Sequence, residues 1–315
     1  MMAQRRGNPP SPPSSLPKGE EGEPALRGQL LLMEPMARHT SWRVGGPADR
    51  VYLPSDVDDL AVFLRSLPPN EPIHWVGLGS NLLVRDGGVR GTVLITSGAL
   101  GGIGSMPDGA VRAEAGVACA KLARFCVNQH LSGAEFMAGI PGTIGGALAM
   151  NAGAHGGETW SFVEAVETVD RNGAVHRRAA AEYQVSYRRI HGPANEWFVA
   201  GHFRFPKDAK QEGRGLIRRL LARRGATQPT QLPNAGSVFK NPPGDHAARL
   251  IEASGLKGAR IGGAAVSELH ANFIVNTGTA SAADIEQLIA RVQAEVETKQ
   301  GVHLETEVRV IGESV

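Results

Sequence analysis

Two glycine-dense stretches carry the residues best suited to chemistry in this chain. One is Gly77-Leu78-Gly79-Ser80-Asn81, and the other runs from Gly139 to Glu158 as Gly-Ile-Pro-Gly-Thr-Ile-Gly-Gly-Ala-Leu-Ala-Met-Asn-Ala-Gly-Ala-His-Gly-Gly-Glu. Glycine loses more conformational entropy on folding than any other residue, so such runs call for close backbone approach or positive φ. A phosphate or dinucleotide supplies that need, because amides unshielded by a Cβ can converge on an anion and a helix N-terminus adds a favourable dipole. A mobile loop is the competing reading. Ile140, Ile144, Leu148 and Met150 interleave with the glycines and anchor the run in a core, which flexible linkers lack.

Familiar phosphate-binding patterns do not fit. After Gly77 and Gly79 the third position of Gly-x-Gly-x-x-Gly is Leu82, so the dinucleotide fingerprint fails. No Gly-Lys-Ser or Gly-Lys-Thr follows either run, which excludes a P-loop. The only cysteines, Cys119 and Cys126, lie seven apart in a segment (117–131) that reads as a helix, which places their Cα atoms roughly 10 Å apart. That separation rules out a disulfide, and they read as small buried apolar side chains. No metal-ligand spacing accompanies them, and no metal site is expected.

The elements that must position these residues follow from composition and periodicity. The chain has 315 residues, 42% of them hydrophobic and 20% charged, with 40 glycines, which suits two or three domains of a ligand-threaded α/β protein. A net charge of +2 without a dense basic stripe argues against nucleic acid as partner. No apolar run approaches bilayer length and the N-terminus lacks a secretory apolar segment, so no membrane association and a cytoplasmic location are expected. Residues 1–28 are rich in Pro, Ser, Gly and Glu and read as a disordered tail. A strand at 51–53, a helix capped by Ser55 with Leu60, Phe63, Leu64 and Leu67 at helical spacing, and a strand at 73–76 lead into the first glycine turn. Strands at 92–96 and 111–115 precede the cysteine helix. Further strands follow at 163–170, 174–177 and 198–205, with Asn172-Gly173 as a hairpin signal. Then come a basic helix (207–224), a helix (245–254), a strand (271–276) and a helix from Ser281 to Gln300 with a Ser281/Asp284 capping box and Gly301 as its stop. The last segment alternates, with Val302, Leu304, Thr306, Val308 and Val310 on one face and His303, Glu305, Glu307 and Arg309 on the other.

Read in series, four motifs resemble the UDP-N-acetylenolpyruvoylglucosamine reductase family. They are Thr40-Ser41-Trp42-Arg43-Val44-Gly45-Gly46-Pro47-Ala48, Gly77 to Val84, Gly139 to Gly146, and Asn234-Ala235-Gly236-Ser237-Val238-Phe239-Lys240-Asn241-Pro242. Ser267-Glu268-Leu269-His270-Ala271-Asn272-Phe273 and the closing Glu307 to Gly312 extend the likeness over about 30–312. The compact stretch after Tyr187 is similar to the shorter of the family's two types, which lacks an extra tyrosine-bearing loop.

The resemblance implies an α+β fold with a two-part FAD-binding domain of the vanillyl-alcohol oxidase type (29–97 and 98–206) and a C-terminal α+β substrate-binding domain (207–315). It implies non-covalent FAD held by Gly77, Leu78, Gly79, Ser80 and Asn81, by Gly139, Ile140, Pro141, Gly142, Thr143, Gly145 and Gly146, and by Asn151, Ala152 and Gly153. It implies NADPH as reductant, the enolpyruvyl ether of UDP-N-acetylglucosamine as substrate, UDP-N-acetylmuramate as product, and a monomer. Hydride addition to that alkene builds charge on the substrate carboxylate, which needs a cation or donor there and an acid over the α-carbon. The family gives this work to an arginine, a serine and a glutamate, matched here by Arg188, Ser237 and Glu307. Where the family has a serine two residues after the arginine this chain has Ile190, which leaves the register open between Arg188 and Arg189. Alternation alone does not choose between Glu305 and Glu307; the family's ending selects Glu307. Lys240 or a water is a candidate proton relay for Ser237. Lys240, His270 and Asn272 are expected at the substrate, although His270 and Asn272 also read as a buried hydrogen-bonded pair. The family lysine before Gln-Pro is Thr227 here, and Arg223 or Arg224 is the candidate replacement. The rival readings are another FAD-dependent oxidase of the same fold, with His155 as a covalent flavin anchor, and a non-enzymatic nucleotide-binding module.

Overall fold

The computed structural model describes residues 25–315, so most of the expected disordered tail lies outside the described residues. The tail's last residues, 25–28, are tied to the body. Leu26 packs on the core of the first unit, the Arg27 amide donates to Asp59 Oδ1 at 2.7 Å, and the Gly28 amide donates to the Tyr52 hydroxyl at 3.2 Å.

The first unit contains β1 (Gln29–Pro35), β2 (Pro47–Leu53), α1 (Val57–Ser66), β3 (Ile73–Val76), β4 (Leu82–Val84) and β5 (Val89–Ile95). Its sheet order is β1-β2-β5-β3, with β5 parallel to both neighbours. The β2-α1-β3 crossover therefore leaves a slot that β5 fills. Leu60, Phe63, Leu64 and Leu67 are buried on this sheet, and the rings of Phe63 and Tyr52 are stacked. The cap of α1 is Asp56 and not Ser55: the Asp56 carboxylate accepts from the Asp59 amide, while the Ser55 amide donates to Asp59.

The second unit contains β6 (Ile103–Ser105), β7 (Val111–Glu114), α2 (Cys119–Asn128), α3 (Ile144–Met150), β8 (Gly153–Ala154), β9 (Gly157–Glu158), β10 (Val163–Asp170), β11 (Val175–Ala179), β12 (Gln184–Ser186), β13 (Arg189–His191) and β14 (Glu196–Phe203). Five of these strands form an antiparallel sheet in the order β11-β10-β14-β7-β6. Gly173, at φ 74°, closes the β10–β11 hairpin at the expected Asn-Gly. Cys119 and Cys126 are fully buried beside Leu122, and burial pushes both thiols up to about 12, which leaves them inert packing groups.

The third unit contains α4 (Gly213–Thr227), α5 (Ala247–Ala253), β15 (Arg260–Ile261), β16 (Ala264–Val266), β17 (Ile274–Asn276), α6 (Ala282–Gln300) and β18 (Arg309–Ile311). Helix α4 starts six residues later than its basic pattern suggested, because the Asp208 carboxylate takes the amides of Lys210 and Gly213 and holds the preceding residues in a turn. Strand β17 is likewise shorter than expected: Ser267 Oγ accepts from the amides of Leu269 and His270, which keeps the residues before it in a turn. Helix α6 matches its sequence signals, with Ser281 and Asp284 bonded reciprocally, Gly301 at φ 68°, and Ile285, Leu288, Ile289, Val292 and Val296 buried.

The closing segment departs from the long alternating strand. Leu304 and Val308 are buried as the alternation required, but only β18 forms a ladder, parallel to β4 of the first unit. The residues before it bond to the Ser237 loop instead. Lys240 N donates to Glu305 O at 2.9 Å, and Glu307 N donates to Val238 O at 2.7 Å. The third unit is also fastened to the first by Trp42, which donates from Nε1 to Ile274 O at 2.7 Å and accepts at its carbonyl from Asn276 Nδ2 at 3.0 Å.

Candidate active site

The two glycine runs face each other. A Cβ added to Gly77 would collide with Thr143 Oγ1, and one on Gly142 would sit 3.3 Å from Ser80 Oγ, so the bare backbones form one cleft. Gly79 is at φ 62°, a conformation that glycine adopts without penalty. Three cavities run along this cleft. The first, about 440 Å³, lies among Trp75, Gly77, Gly145, Gly146, Tyr183 and Trp197. A second, about 170 Å³, shares Trp75, Gly77 and Gly146 with it and adds Leu78, Gly79, Gly142 and Thr143. The third, about 220 Å³, shares Ser80, Asn81, Ile140 and Ala152 with the second and adds Gly139, Pro141 and Gly153. These shared walls make the three cavities one groove. Three buried polar atoms without a hydrogen-bond partner among the described residues line it: Trp75 Nε1, Thr143 Oγ1 and Tyr183 Oη. Unpartnered buried donors and acceptors are costly, and a ligand with polar atoms along its length satisfies them.

Arg188, Ser237 and Glu307 converge on the third cavity. Tyr187 and Arg188 form the two-residue turn between β12 and β13, where Ser186 pairs with Arg189, and Arg188 adopts φ 56°. A non-glycine residue in that region is held there at a cost of about 1–3 kcal/mol, which the surroundings must offset. The Arg188 guanidinium donates from Nε to Glu307 Oε1 at 3.0 Å, from Nη1 to Asn151 O at 3.2 Å and from Nη2 to Gly153 O at 3.4 Å. Of the two candidate arginines, Arg188 lines the third cavity and reaches Glu307, and it also borders an outer cavity that Arg189 lines without reaching the third. Glu305 and Glu307 part in the same way. The Glu305 side chain is 71% exposed and pairs with Lys240, whereas Glu307 is 12% exposed. Burial raises the Glu307 pKa above the ordinary glutamate value, and the charges of Arg188 and Lys240 partly oppose that rise. Asn81 holds the Glu307 peptide in place, its Nδ2 donating to Glu307 O at 3.1 Å.

Four of the expected site residues carry contacts that bear on their roles. Asn151 does not offer its side chain to the groove: its amide is turned inward to Glu158, Ser186 and the Trp160 N–H. Asn272 is 3% exposed and spans the backbone of Phe239, with Oδ1 accepting from Phe239 N and Nδ2 donating to Phe239 O, so it shapes the Ser237 loop. His270 lies edge-on against Phe273, a wall of the third cavity, and burial lowers its pKa. Lys240 lines the outer cavity and pairs with Glu305, while its charge also acts on Glu307. The outer cavity, about 830 Å³, also carries Tyr187, Asn241 and Arg309.

Sequence reasoning missed the aromatic end of the groove, where Trp75 and Trp197 stack with ring centroids 5.3 Å apart. The signal available was a tryptophan two residues before Gly77, in a chain with only four. Arg224, one of two candidates for the missing lysine, lines the third cavity. Its guanidinium bonds to Gln228 Oε1 at 3.1 Å and, among the described residues, forms no ion pair; desolvation lowers its pKa.

Fold and site together define a flavin-dependent oxidoreductase. Residues 48–178 match an FAD binding domain, and residues 228–311 match the UDP-N-acetylenolpyruvoylglucosamine reductase C-terminal domain. The chain belongs to the UDP-N-acetylenolpyruvoylglucosamine reductase family. It is 58% identical over 287 residues to the reductase of that name from Alkalilimnicola ehrlichii, covering 91% of this chain and 96% of the relative. The reductase of Methylococcus capsulatus is 59% identical over 288 residues, covering 91% and 95%. Among solved structures, UDP-N-acetylenolpyruvylglucosamine reductase from Thermus caldophilus superposes with a TM-score of 0.75 at 34% identity, covering 90% of this chain and 98% of that one. The groove's residues fit FAD: bare glycine backbone, unpartnered Thr143, Trp75 and Tyr183 atoms, and an aromatic slot at one end.

Proposed function

We propose that this protein uses NADPH to reduce the enolpyruvyl ether of UDP-N-acetylglucosamine to UDP-N-acetylmuramate, a step in peptidoglycan precursor synthesis. The observation that carries this reading is the meeting of Arg188, Ser237 and Glu307 in one cavity continuous with the glycine cradle. FAD, held along the bare backbone of Gly77, Gly79, Gly142 and Gly146, would supply hydride-transfer chemistry between NADPH and the enolpyruvyl group. The chain's own residues handle the charge and the proton. Arg188, fixed by two backbone carbonyls, presents a cation beside the developing enolate. Glu307, whose raised pKa favours a protonated fraction, donates to the substrate carboxylate. Ser237 gives the α-carbon its proton. Arg224 offers a second cation in the same cavity for a carboxylate or phosphate oxygen. Tyr187, Lys240, Asn241 and Arg309 make the outer cavity suited to the nucleoside diphosphate.

The test separates the two halves of the reaction. Glu307→Gln keeps the shape but cannot exchange a proton, so it should slow recolouring of the NADPH-bleached protein by the enolpyruvyl substrate while leaving bleaching much less affected. Equal loss in both halves on anaerobic stopped-flow absorbance would falsify the role of Glu307.

A further inference from the structure

We propose that Asn151 and Glu158 form a positioning bridge that fixes the Arg188–Glu307 pair in its working geometry. The inference rests on the proposed function for the reaction it serves, but its structural basis is independent of the substrate. Asn151 ends α3 in the left-handed conformation, at φ 47° and ψ 56°, and is 1% exposed. Every polar group of its side chain is used: Oδ1 accepts from Trp160 N at 3.1 Å, while Nδ2 donates to Glu158 Oε2 at 2.9 Å and to Ser186 O at 3.3 Å. Ser186 is the last residue before the Tyr187-Arg188 turn. The carbonyl of Asn151 itself accepts from Arg188 Nη1 at 3.2 Å. Asn151 thus holds the strand end that leads into the Arg188 turn, at Ser186, through its amide and the Arg188 head group through its carbonyl.

Glu158 completes the bridge. It sits on β9 opposite Gly153 of β8, and Gly153 O takes the other guanidinium nitrogen at 3.4 Å. Its carboxylate leaves Asn151 one orientation, with Nδ2 toward Ser186 and Oδ1 toward Trp160. Arg188 needs such support, because its own φ of 56° is unfavourable for a residue with a Cβ. A guanidinium displaced by about an ångström loses alignment with Glu307 and with the substrate carboxylate, a misplacement that costs up to about 10²-fold in rate.

Three variants test this. Asn151→Gly tolerates the left-handed backbone and removes the side chain with its amide. Glu158→Ala removes the acceptor, and Glu158→Gln restores one through its amide oxygen. We expect Asn151→Gly and Glu158→Ala to keep flavin and bleach with NADPH within about twofold of wild type, yet to recolour about ten- to a hundredfold more slowly, with Glu158→Gln recovering most of the rate. The pH profile supplies a readout that loose packing would not move. The groups facing Glu307 are Arg188 and Lys240, with Arg224 and His155 on the same cavity. Loosening Arg188 removes the charge that lowers the Glu307 pKa, so the limb reporting Glu307 shifts to higher pH. A substrate-free measure is the Arg188 Nε–H signal in 15N NMR, identified by its absence in Arg188→Lys, which should lose its protection from exchange in Asn151→Gly. The bridge is overturned if Asn151→Gly leaves recolouring and Nε–H protection at wild-type levels, if the rate falls with no shift of the limb, or if Glu158→Gln is as slow as Glu158→Ala. Loss of flavin from Asn151→Gly alone would assign Asn151 to the cofactor and also overturn it. Failure of the wild-type protein to recolour would instead refute the proposed function, with the NMR result still judging the bridge.

Discussion

Gly146→Ala should stabilise the protein without flavin and weaken its hold on flavin. Gly146 lies inside α3 and not in the left-handed region, and a Cβ built there meets only Thr143 Oγ1, at 3.8 Å, an ordinary contact. Alanine is favoured over glycine inside a helix by roughly 0.5–1 kcal/mol. For a chain of this size that raises the apoprotein melting temperature by roughly 1–2 °C. The same Cβ enters the groove where its first two cavities join, since Gly146 lines both. A ligand resting on bare backbone must move away or lose contact, and a loss of about 1.4–2.8 kcal/mol corresponds to a ten- to hundredfold weaker flavin Kd. Gly225→Ala is the control, because Gly225 is an exposed α4 residue whose Cβ would meet nothing within 4 Å. It should gain the same helix stability with no change in flavin affinity. The assay is fluorescence titration of FAD into apoprotein beside calorimetry of each variant. If Gly146→Ala binds FAD as wild type does, the groove is not the cofactor site and the reasoning fails.

Other outcomes follow from the same structure. Arg224→Ala should raise the KM for the enolpyruvyl substrate by about tenfold or more, the worth of one hydrogen bond between charged groups, with NADPH bleaching unchanged; an unaltered KM would remove Arg224 from the substrate site. Glu167 pairs with Arg112 at 2.6 Å and His202 at 2.7 Å, and the Arg112 bond above all holds its carboxyl below the ordinary glutamate pKa of 4.5. Such a group adds stability that is present above that value and lost as pH falls through the depressed one. Glu167→Gln should therefore cost about 1.5–3 kcal/mol at neutral pH, and the difference from wild type should shrink in acid denaturation below pH 4.5; a constant difference across pH would contradict this.

Much of the scaffold was legible in local signals. Helix α6 followed from its capping box, its apolar stripe and Gly301, and the β10–β11 hairpin followed from Asn172-Gly173, because each signal acts over a few residues. The glycine runs announced a backbone cradle for the same reason. Contacts between distant segments were hidden. Alternation put Glu305 and Glu307 on one face, but the segment bonds to the Ser237 loop and to β4 rather than forming one long strand, so one glutamate meets solvent and the other Arg188. Asn272 and Asn151 read as ligand groups in motif order, and only the fold shows their amides bonded to Phe239 and to the Arg188 hairpin. The inward turn of Arg188 depends on its left-handed backbone, which no sequence rule assigns to an arginine.

The central claim is that reduced flavin in this cleft is reoxidised by an enolpyruvyl sugar nucleotide at Arg188, Ser237 and Glu307. The direct measurement is anaerobic: the yellow protein is bleached with one equivalent of NADPH, and the enolpyruvyl ether of UDP-N-acetylglucosamine is then added. The account predicts rapid return of the yellow colour with stoichiometric UDP-N-acetylmuramate, a return slowed in Glu307→Gln. A protein that stays bleached until air is admitted would contradict it.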